Sequence, residues 1–332
     1  MKFRYTLVFT VLFFVVLGFY FSQSRQELKK QEELKKATDD FKIRVEEKLP
    51  TLKINENIDF IQVQNLEKDE TFWLQKENSI WRITYPVGAL ADQSIAIGMS
   101  GMVKLAMKTK LMRPESGWSE YGLDQPVMKI GIGSNGSSER HFLYLGRKTP
   151  TGDMVFARWD DKQAYFVLPA QVKDAFRKTI YEVREKRVFL TPVTKIDRIF
   201  AEIGGRSFDM TLRDGVWYWM EPIHLIGQTV APEQVSAMLQ MLAQLYVKEF
   251  ADDVRDVFKA GVTMISDRLQ VRSGNNTETV YLGNEVPLKT SYFAHRENEK
   301  NLFLVDQSKI FQVIDLLDAL RQANRPPEEK SK

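Results

Sequence analysis

The body of this 332-residue chain carries the same pattern of residues twice, and this duplication limits the folds it can adopt. Matching residues recur in the same order 136 to 138 residues apart. Solenoid repeats have periods of only ~20–50 residues, so each copy is long enough to be a whole domain. The matches are Phe72/Phe208, Trp81/Trp217, Pro86/Pro222, Phe166/Phe303, Ile58-Asp59/Ile196-Asp197, Tyr144-Leu145-Gly146/Tyr281-Leu282-Gly283 and Phe156-Ala157/Phe293-Ala294.

Short alternating segments in each copy predict antiparallel strands. Residues 58–64, 71–76 and 80–85 alternate apolar and polar side chains, and Asp214-Gly215 separates two such segments as a hairpin turn. Each copy also contains two segments with helical apolar spacing. Because the strands follow one another without alternating with helices, we predict an α+β fold. It comprises an N-terminal transmembrane helix and two tandem homologous domains of antiparallel sheet with packed helices.

The N-terminus carries an apolar run. Residues 5–21 contain no charged side chain and follow Lys2 and Arg4. A helix of this length spans ~25 Å, the short end of what crosses a bilayer core. We therefore predict a transmembrane anchor over residues 1–22, while Ser22-Gln23-Ser24 leaves a cleaved signal peptide open.

The remaining boundaries follow from charge and proline positions. Residues 23–50 are predicted to form a charged helical stalk that Pro50 ends. Repeat domain 1 is assigned to residues 51–186, repeat domain 2 to 187–323, and a disordered tail to 324–332. Basic residues also follow the anchor, and a strict count of them would keep the body in the cytoplasm.

Composition excludes several classes of function. The chain has no cysteine, which rules out disulfides, thiolate metal sites and thiol nucleophiles. The 47 basic and 44 acidic residues leave a near-neutral body, so we expect no nucleic-acid binding. The three histidines are far apart, and no G-x-S-x-G motif is present. We predict no metal, no cofactor and no catalysis.

Two local patterns have plain structural interpretations. Residues 131–136 match G-x-G-x-x-G, but a strand and not a helix is predicted to follow, so we interpret them as a hairpin turn. The acidic pairs Asp160-Asp161 and Asp252-Asp253 are predicted in turns, where such pairs are usually solvated. An envelope glycan hydrolase whose carboxylates come together only in the fold remains an alternative.

Several motifs of the first copy carry a family resemblance. They are Trp81-Arg82-Ile83-Thr84-Tyr85-Pro86, Glu120-Tyr121-Gly122-Leu123-Asp124-Gln125-Pro126, Leu145-Gly146-Arg147-Lys148-Thr149-Pro150-Thr151-Gly152, Val155-Phe156-Ala157-Arg158 and Tyr165-Phe166-Val167-Leu168-Pro169. With these, the chain resembles a bacterial family known only as a domain of unknown function. Its members are typically membrane-anchored and often duplicated, and they are often encoded beside a gliding-motility-type ABC-2 transporter.

The resemblance implies a non-catalytic extracytoplasmic accessory of such a transporter complex. We therefore expect an inner-membrane, single-pass protein with a periplasmic body and a permease or auxiliary subunit as partner. A cytoplasm-facing scaffold is the alternative that the basic residues allow. Arg147 and Lys148 are the candidate binding residues, because exposed loops often carry function and the second copy has Asn284 and Glu285 there.

Overall fold

The structure is a computed structural model, and it describes residues 25–33, 35–36, 57–109, 111–112, 117–134, 139–160, 164–254, 256–263 and 265–323. Residues 25–33 and 35–36 form an exposed helix, α1, within the predicted stalk. The predicted anchor, the rest of the stalk and the C-terminal tail lie outside the described residues. Among the described helices, none is long and apolar enough to span a membrane.

The chain divides into two compact units. The first holds residues up to Pro86 together with Gln93–Val183, and the second holds Val87–Asp92 and the residues from Arg184 onward. Each repeated copy builds one eight-stranded antiparallel sheet, which confirms the predicted tandem α+β organisation.

The sheet of the first copy joins two meanders. Its strands are β1 (Ile58–Asn65), β2 (Glu70–Glu77), β3 (Ile80–Tyr85), β4 (Ala89–Leu90), β5 (Met128–Ser134), β6 (His141–Lys148), β7 (Met154–Trp159) and β8 (Tyr165–Pro169). They lie in the order β4-β3-β2-β1-β5-β6-β7-β8. Pairing of β1 with β5 therefore connects the two meanders in the middle of the sheet.

The sheet of the second copy repeats this order for seven strands, and its eighth strand lies at the opposite edge. Its strands are β9 (Arg198–Ile203), β10 (Arg206–Arg213), β11 (Val216–Glu221), β12 (Val247–Phe250), β13 (Arg268–Ser273), β14 (Asn276–Val286), β15 (Ser291–Arg296) and β16 (Leu302–Asp306). They lie in the order β11-β10-β9-β13-β14-β15-β16-β12. The matched bonds Tyr85–Pro86 and Glu221–Pro222 are both cis.

Helices complete each copy. The first contains α2 (Gln93–Lys108), α3 (Ala170–Phe176) and the short α4 (Ile180–Val183), and the second contains α5 (Pro232–Ala243) and α6 (Gln307–Ala323). The two longer helices of each copy contact one another and the strands of their own sheet. Their buried residues fall on one face, as their apolar spacing predicts.

Matched tryptophans contribute unequally to the two cores. The sequence predicts that Trp81 and Trp217, each followed five residues later by a proline, anchor their cores. Trp81 on β3 is 2% exposed, which confirms this for the first copy. Trp217 on β11 is only half-buried, and Trp219, two residues further along, is fully buried instead. Trp217 still packs against the core of its copy, but the next residue on the same side of β11 takes the fully buried position, so the expected anchoring role is shared with Trp219.

Candidate functional site

The predicted binding residues Arg147 and Lys148 lie at the exposed end of β6. The hairpin turn that follows them is held by its own hydrogen bonds. The Thr149 and Thr151 hydroxyls lie 3.0 Å apart, and the Gly152 amide donates to the Thr149 carbonyl at 2.9 Å. The two cations therefore stand on a well-defined turn.

The two cations differ in how far they are engaged. Arg147 Nη2 donates to the Ser119 carbonyl at 2.7 Å, while the Lys148 ammonium has no hydrogen-bond or ion-pair partner among the described residues. At the matched positions of the second copy, Asn284 donates to the Lys259 carbonyl and Glu285 accepts from Gln307. Of the two predicted binding residues, Lys148 therefore has the charge that is more available to a partner.

Close backbone contact explains the glycine of the repeated Tyr-Leu-Gly motif. A Cβ on Gly146 would lie 2.3 Å from the Tyr121 carbonyl oxygen, and a Cβ on Gly283 would lie 2.2 Å from the Ala260 carbonyl oxygen. The same two carbonyls accept hydrogen bonds from the residues after the glycines, at 3.1 and 2.7 Å. In both copies, then, a turn packs directly on the strand backbone.

Aromatic rings gather on one face of the first sheet, which we call the outer face. Its residues are direct cross-strand neighbours and alternate along their strands with the buried apolar residues. Trp73 and Tyr85 are 37% and 45% exposed, and their ring centroids lie 5.0 Å apart. Phe60 meets Trp73 edge-on at 6.2 Å. The outer face is defined by Phe60, Gln62, Gln64, Trp73, Gln75, Tyr85, Lys129, Phe142, Tyr144 and Arg158.

Two cationic side chains of the outer face contact aromatic rings and form no ion pair with a described carboxylate. Lys129 Nζ lies 4.1 Å from the centroid of Phe142, and the Arg158 guanidinium lies 4.2 Å from that of Tyr144. Arg158 also donates to the Leu123 carbonyl at 3.3 Å. Within the described part of the chain, neither cation forms an ion pair. Cation–π contacts stabilise a charge only modestly, so both remain open to an anion.

At the matched positions, the second sheet carries paired charges. Arg198 replaces Phe60 and Asp209 replaces Trp73, and the two form a bidentate ion pair at 2.8 and 2.5 Å. This contact raises the pKa of Arg198. Arg268 replaces Lys129 and pairs with Glu202 at 2.9 Å. At the position of Lys129, the second copy thus neutralises on its own surface the charge that the first copy leaves open.

Side-chain packing accounts for the first two glycines of the G-x-G-x-x-G match. Gly131 and Gly133 lie on the outer side of β5, where a Cβ would meet the Phe142 ring at 2.9 Å and crowd the Arg140 guanidinium. The glycines therefore let side chains from β6 lie across β5. Residues 135–138 lie outside the described residues, and β6 follows them as predicted.

Buried carboxylates of the second unit are bound to arginines. Glu185 is 3% exposed and pairs with Arg187 through two side-chain hydrogen bonds at 2.9 and 2.6 Å. Burial opposes ionisation of Glu185, but the hydrogen bonds from Arg187 outweigh it and lower the pKa. Such an acid is not poised to donate a proton near neutral pH.

The acidic pairs were expected to be solvated turn residues, and for Asp252 this expectation is incomplete. Its carboxylate forms an ion pair with the buried Arg184 guanidinium at 2.5 Å. Arg184 also stacks on the Phe250 ring at 3.5 Å, and burial lowers the pKa of this guanidinium. Asp160 has a structural role as well, because its carboxylate accepts from the Phe142 amide at 3.1 Å.

Among the described residues, no three His, Asp or Glu side chains are grouped as a metal site would require. His141 lies 3.7 Å from Glu139, and His295 contacts the Glu299 carbonyl at 2.7 Å. These two histidines therefore take part in ordinary surface contacts and not in a group of metal ligands among the described residues.

The fold and the outer face define a class of protein with two tandem α+β domains, of which the first holds Lys129 and Arg158 against aromatic rings without an ion pair to any described residue. The chain belongs to the DUF4340 family, a domain of unknown function, whose family model matches residues 81–253, just over half of the chain. The resemblance to a family of unknown function is thereby confirmed. No curated protein and no solved structure matches the chain.

Proposed function

We propose that this protein is a non-catalytic binding module of the bacterial envelope and that its first copy holds the ligand. One observation carries the proposal. Lys129 and Arg158 stand unpaired among aromatic rings in the first copy, while the matched Arg268 is neutralised by Glu202 in the second. Duplicated domains share a scaffold, so a surface on which the copies differ is a candidate for a task that only one copy performs.

The proposed location is the inner membrane, with a single span and a periplasmic body. The apolar run of residues 5–21 supports the span, and the family resemblance supports the orientation. Alkaline phosphatase fused after Lys332 tests this orientation, because the enzyme is active only outside the cytoplasm. An inactive fusion that is expressed at the level of the wild-type chain would place the body in the cytoplasm.

Photo-cross-linking in living cells tests the binding role of the outer face. A photoreactive phenylalanine analogue at Trp73 or Tyr85 is expected to give a high-mass adduct of the full-length chain. The same analogue at the matched Asp209 or Glu221 serves as the control and is expected to give none. Adducts of equal yield from both copies, or adducts from neither copy, would contradict the assignment of binding to the first.

The proposed protein partner is a membrane permease or its auxiliary subunit, contacted through the loop of Arg147 and Lys148. Surface ion pairs contribute ~0–1 kcal/mol each, so their loss should weaken association without affecting folding. Replacing both residues with Ala is expected to reduce partner capture from detergent extracts at low salt and to have little effect at high salt. Replacing Asn284 and Glu285 with Ala is the matched control. Unchanged capture by the first variant at both salt concentrations would remove these residues from the interface.

A further inference from the structure

We propose that the outer face of the first copy binds an acidic polysaccharide, an inference that rests on the proposed binding function. The face presents three kinds of group side by side: unpaired cations, aromatic rings and side-chain amides. An acidic sugar polymer has a complementary group for each of them.

Charge is the first argument. Lys129 and Arg158 flank the Tyr144 ring, at 5.7 and 4.2 Å from its centroid. Both side chains are half-buried, so water screens their charges less than those of fully exposed residues. Carboxylates spaced along a ligand would supply the counter-charge that no described residue provides.

Ring faces and amides are the second argument. Trp73 and Tyr85 expose aromatic surface onto which the C–H face of a sugar ring can pack. Gln62, Gln64 and Gln75 are half-buried on the same face, and their side-chain amides bind no described residue. Each amide can both donate to and accept from a sugar hydroxyl.

Backbone hydrogen bonding favours a polysaccharide over an extended polypeptide. Strands β1, β2, β5 and β6 beneath the face are each paired on both sides, so their amides and carbonyls are already used. An extended peptide lying on this face could reach only the few side-chain amides and would bury most of its own backbone groups without partners, which is costly. A sugar chain avoids this cost, because its hydroxyl groups can point towards water.

The arrangement of the groups suits an elongated ligand. Tyr85, Trp73, Gln62, Gly131 and Phe142 are successive cross-strand neighbours, and Gln64, Lys129, Tyr144 and Arg158 form the adjacent row. At ~4.8 Å per strand, the path from β3 to β7 is ~24 Å long. The polymer is therefore expected to cross the strands and contact several residues at once.

Calorimetric titration of the detergent-solubilised full-length chain tests the inference. The probes are polygalacturonate oligosaccharides, uncharged dextran oligosaccharides and poly-L-glutamate of matched length. Polygalacturonate is expected to bind, dextran not to bind, and poly-L-glutamate to bind at least about tenfold more weakly, a difference of about 1.4 kcal/mol. Poly-L-glutamate binding as tightly as polygalacturonate would overturn the choice of a sugar polymer and favour an acidic polypeptide.

Matched variants assign the binding to the outer face. Lys129→Met removes a charge-assisted contact and is expected to weaken polygalacturonate binding about tenfold, whereas Arg268→Met at the matched position should leave it unchanged. Trp73→Ala tests the ring without altering charge, and thermal unfolding confirms that each variant is folded.

Two results would overturn the inference. They are absence of polygalacturonate binding to the wild-type chain and an equal loss of binding in Lys129→Met and Arg268→Met. In either case adducts from Trp73 in cells would still support the proposed binding function. Failure of the polysaccharide inference can therefore be distinguished from failure of the binding function.

Discussion

Gly146→Ala is expected to destabilise the first copy, because the new methyl group would collide with backbone. Its Cβ would lie 2.3 Å from the Tyr121 carbonyl oxygen and 3.0 Å from that of Gly122. Both are main-chain atoms, so the whole turn must move away from β6. Gly101 in α2 is the matched control, since a Cβ built there meets no described atom within 4 Å apart from its chain neighbours and the nearby backbone of its own helix.

The magnitude follows from three contributions. Moving the turn breaks the hydrogen bond from the Arg147 amide to the Tyr121 carbonyl, which costs about 0.5–1.5 kcal/mol. Overpacking adds about 1–3 kcal/mol, and the reduced entropy of the unfolded chain returns about 0.4–1 kcal/mol. The net loss is about 0.5–4 kcal/mol, with a central value of about 2 kcal/mol. Gly101→Ala should instead stabilise by about 0.5–1 kcal/mol, because alanine is the better helix former.

Urea unfolding of the full-length chain, followed by tryptophan fluorescence, measures both effects. Gly283→Ala is a second test in the other copy, where the new Cβ would lie 2.2 Å from the Ala260 carbonyl oxygen. Hydrogen exchange then shows which copy each substitution weakens. If Gly146→Ala unfolds at the wild-type urea concentration, or if Gly101→Ala is equally destabilising, the argument from backbone contact is wrong.

Two further predictions concern the cores and the buried ion pair. Trp81→Ala should cost about 3–5 kcal/mol in unfolding free energy, and Trp217→Ala clearly less, since only Trp81 is fully buried; equal losses in urea titrations would contradict this. Glu185 has a folded-state pKa below its ordinary value of 4.5, so its pair with Arg187 adds stability above that pH and loses it as the pH falls through the folded pKa. Glu185→Gln should therefore have a lower free energy of unfolding than wild type at pH 7. The difference between the two free energies should become smaller in unfolding measurements towards pH 3. A difference that does not change with pH would show that ionisation of Glu185 does not contribute to stability.

Much of the fold could be predicted because its signals are local. Alternation along β1 to β3 and the Asp214-Gly215 turn each lie within a few residues, and the duplication allowed one copy to support the other. Strand order was harder to predict. Pairing of β1 with β5 joins residues that are 63 to 76 positions apart, and nothing in either segment specifies its partner.

The outer face was not predicted from the sequence for the same reason, because it depends on the pairing of strands that are far apart in the chain. Phe60, Trp73 and Lys129 look unrelated in sequence and become neighbours only through the pairing of β1 with β2 and β5. A signal was available in the duplication, because Trp73 corresponds in sequence to Asp209, and Phe60 corresponds to Arg198. Comparing the positions that differ between the copies, and not only those that match, would have pointed to this face.

The different outer faces also bear on how two similar domains fold correctly on one chain. Homologous neighbours are prone to exchange strands during folding, because each offers the other a closely matching partner. Exchange of β9 alone between copies would leave the Asp209 carboxylate, whose side chain is only 6% exposed, without the Arg198 guanidinium that pairs with it in the native sheet. A nearly buried carboxylate without a partner is costly, so such misassembled pairings are disfavoured. The ion pair that distinguishes the second sheet therefore also favours pairing of each strand within its own sheet.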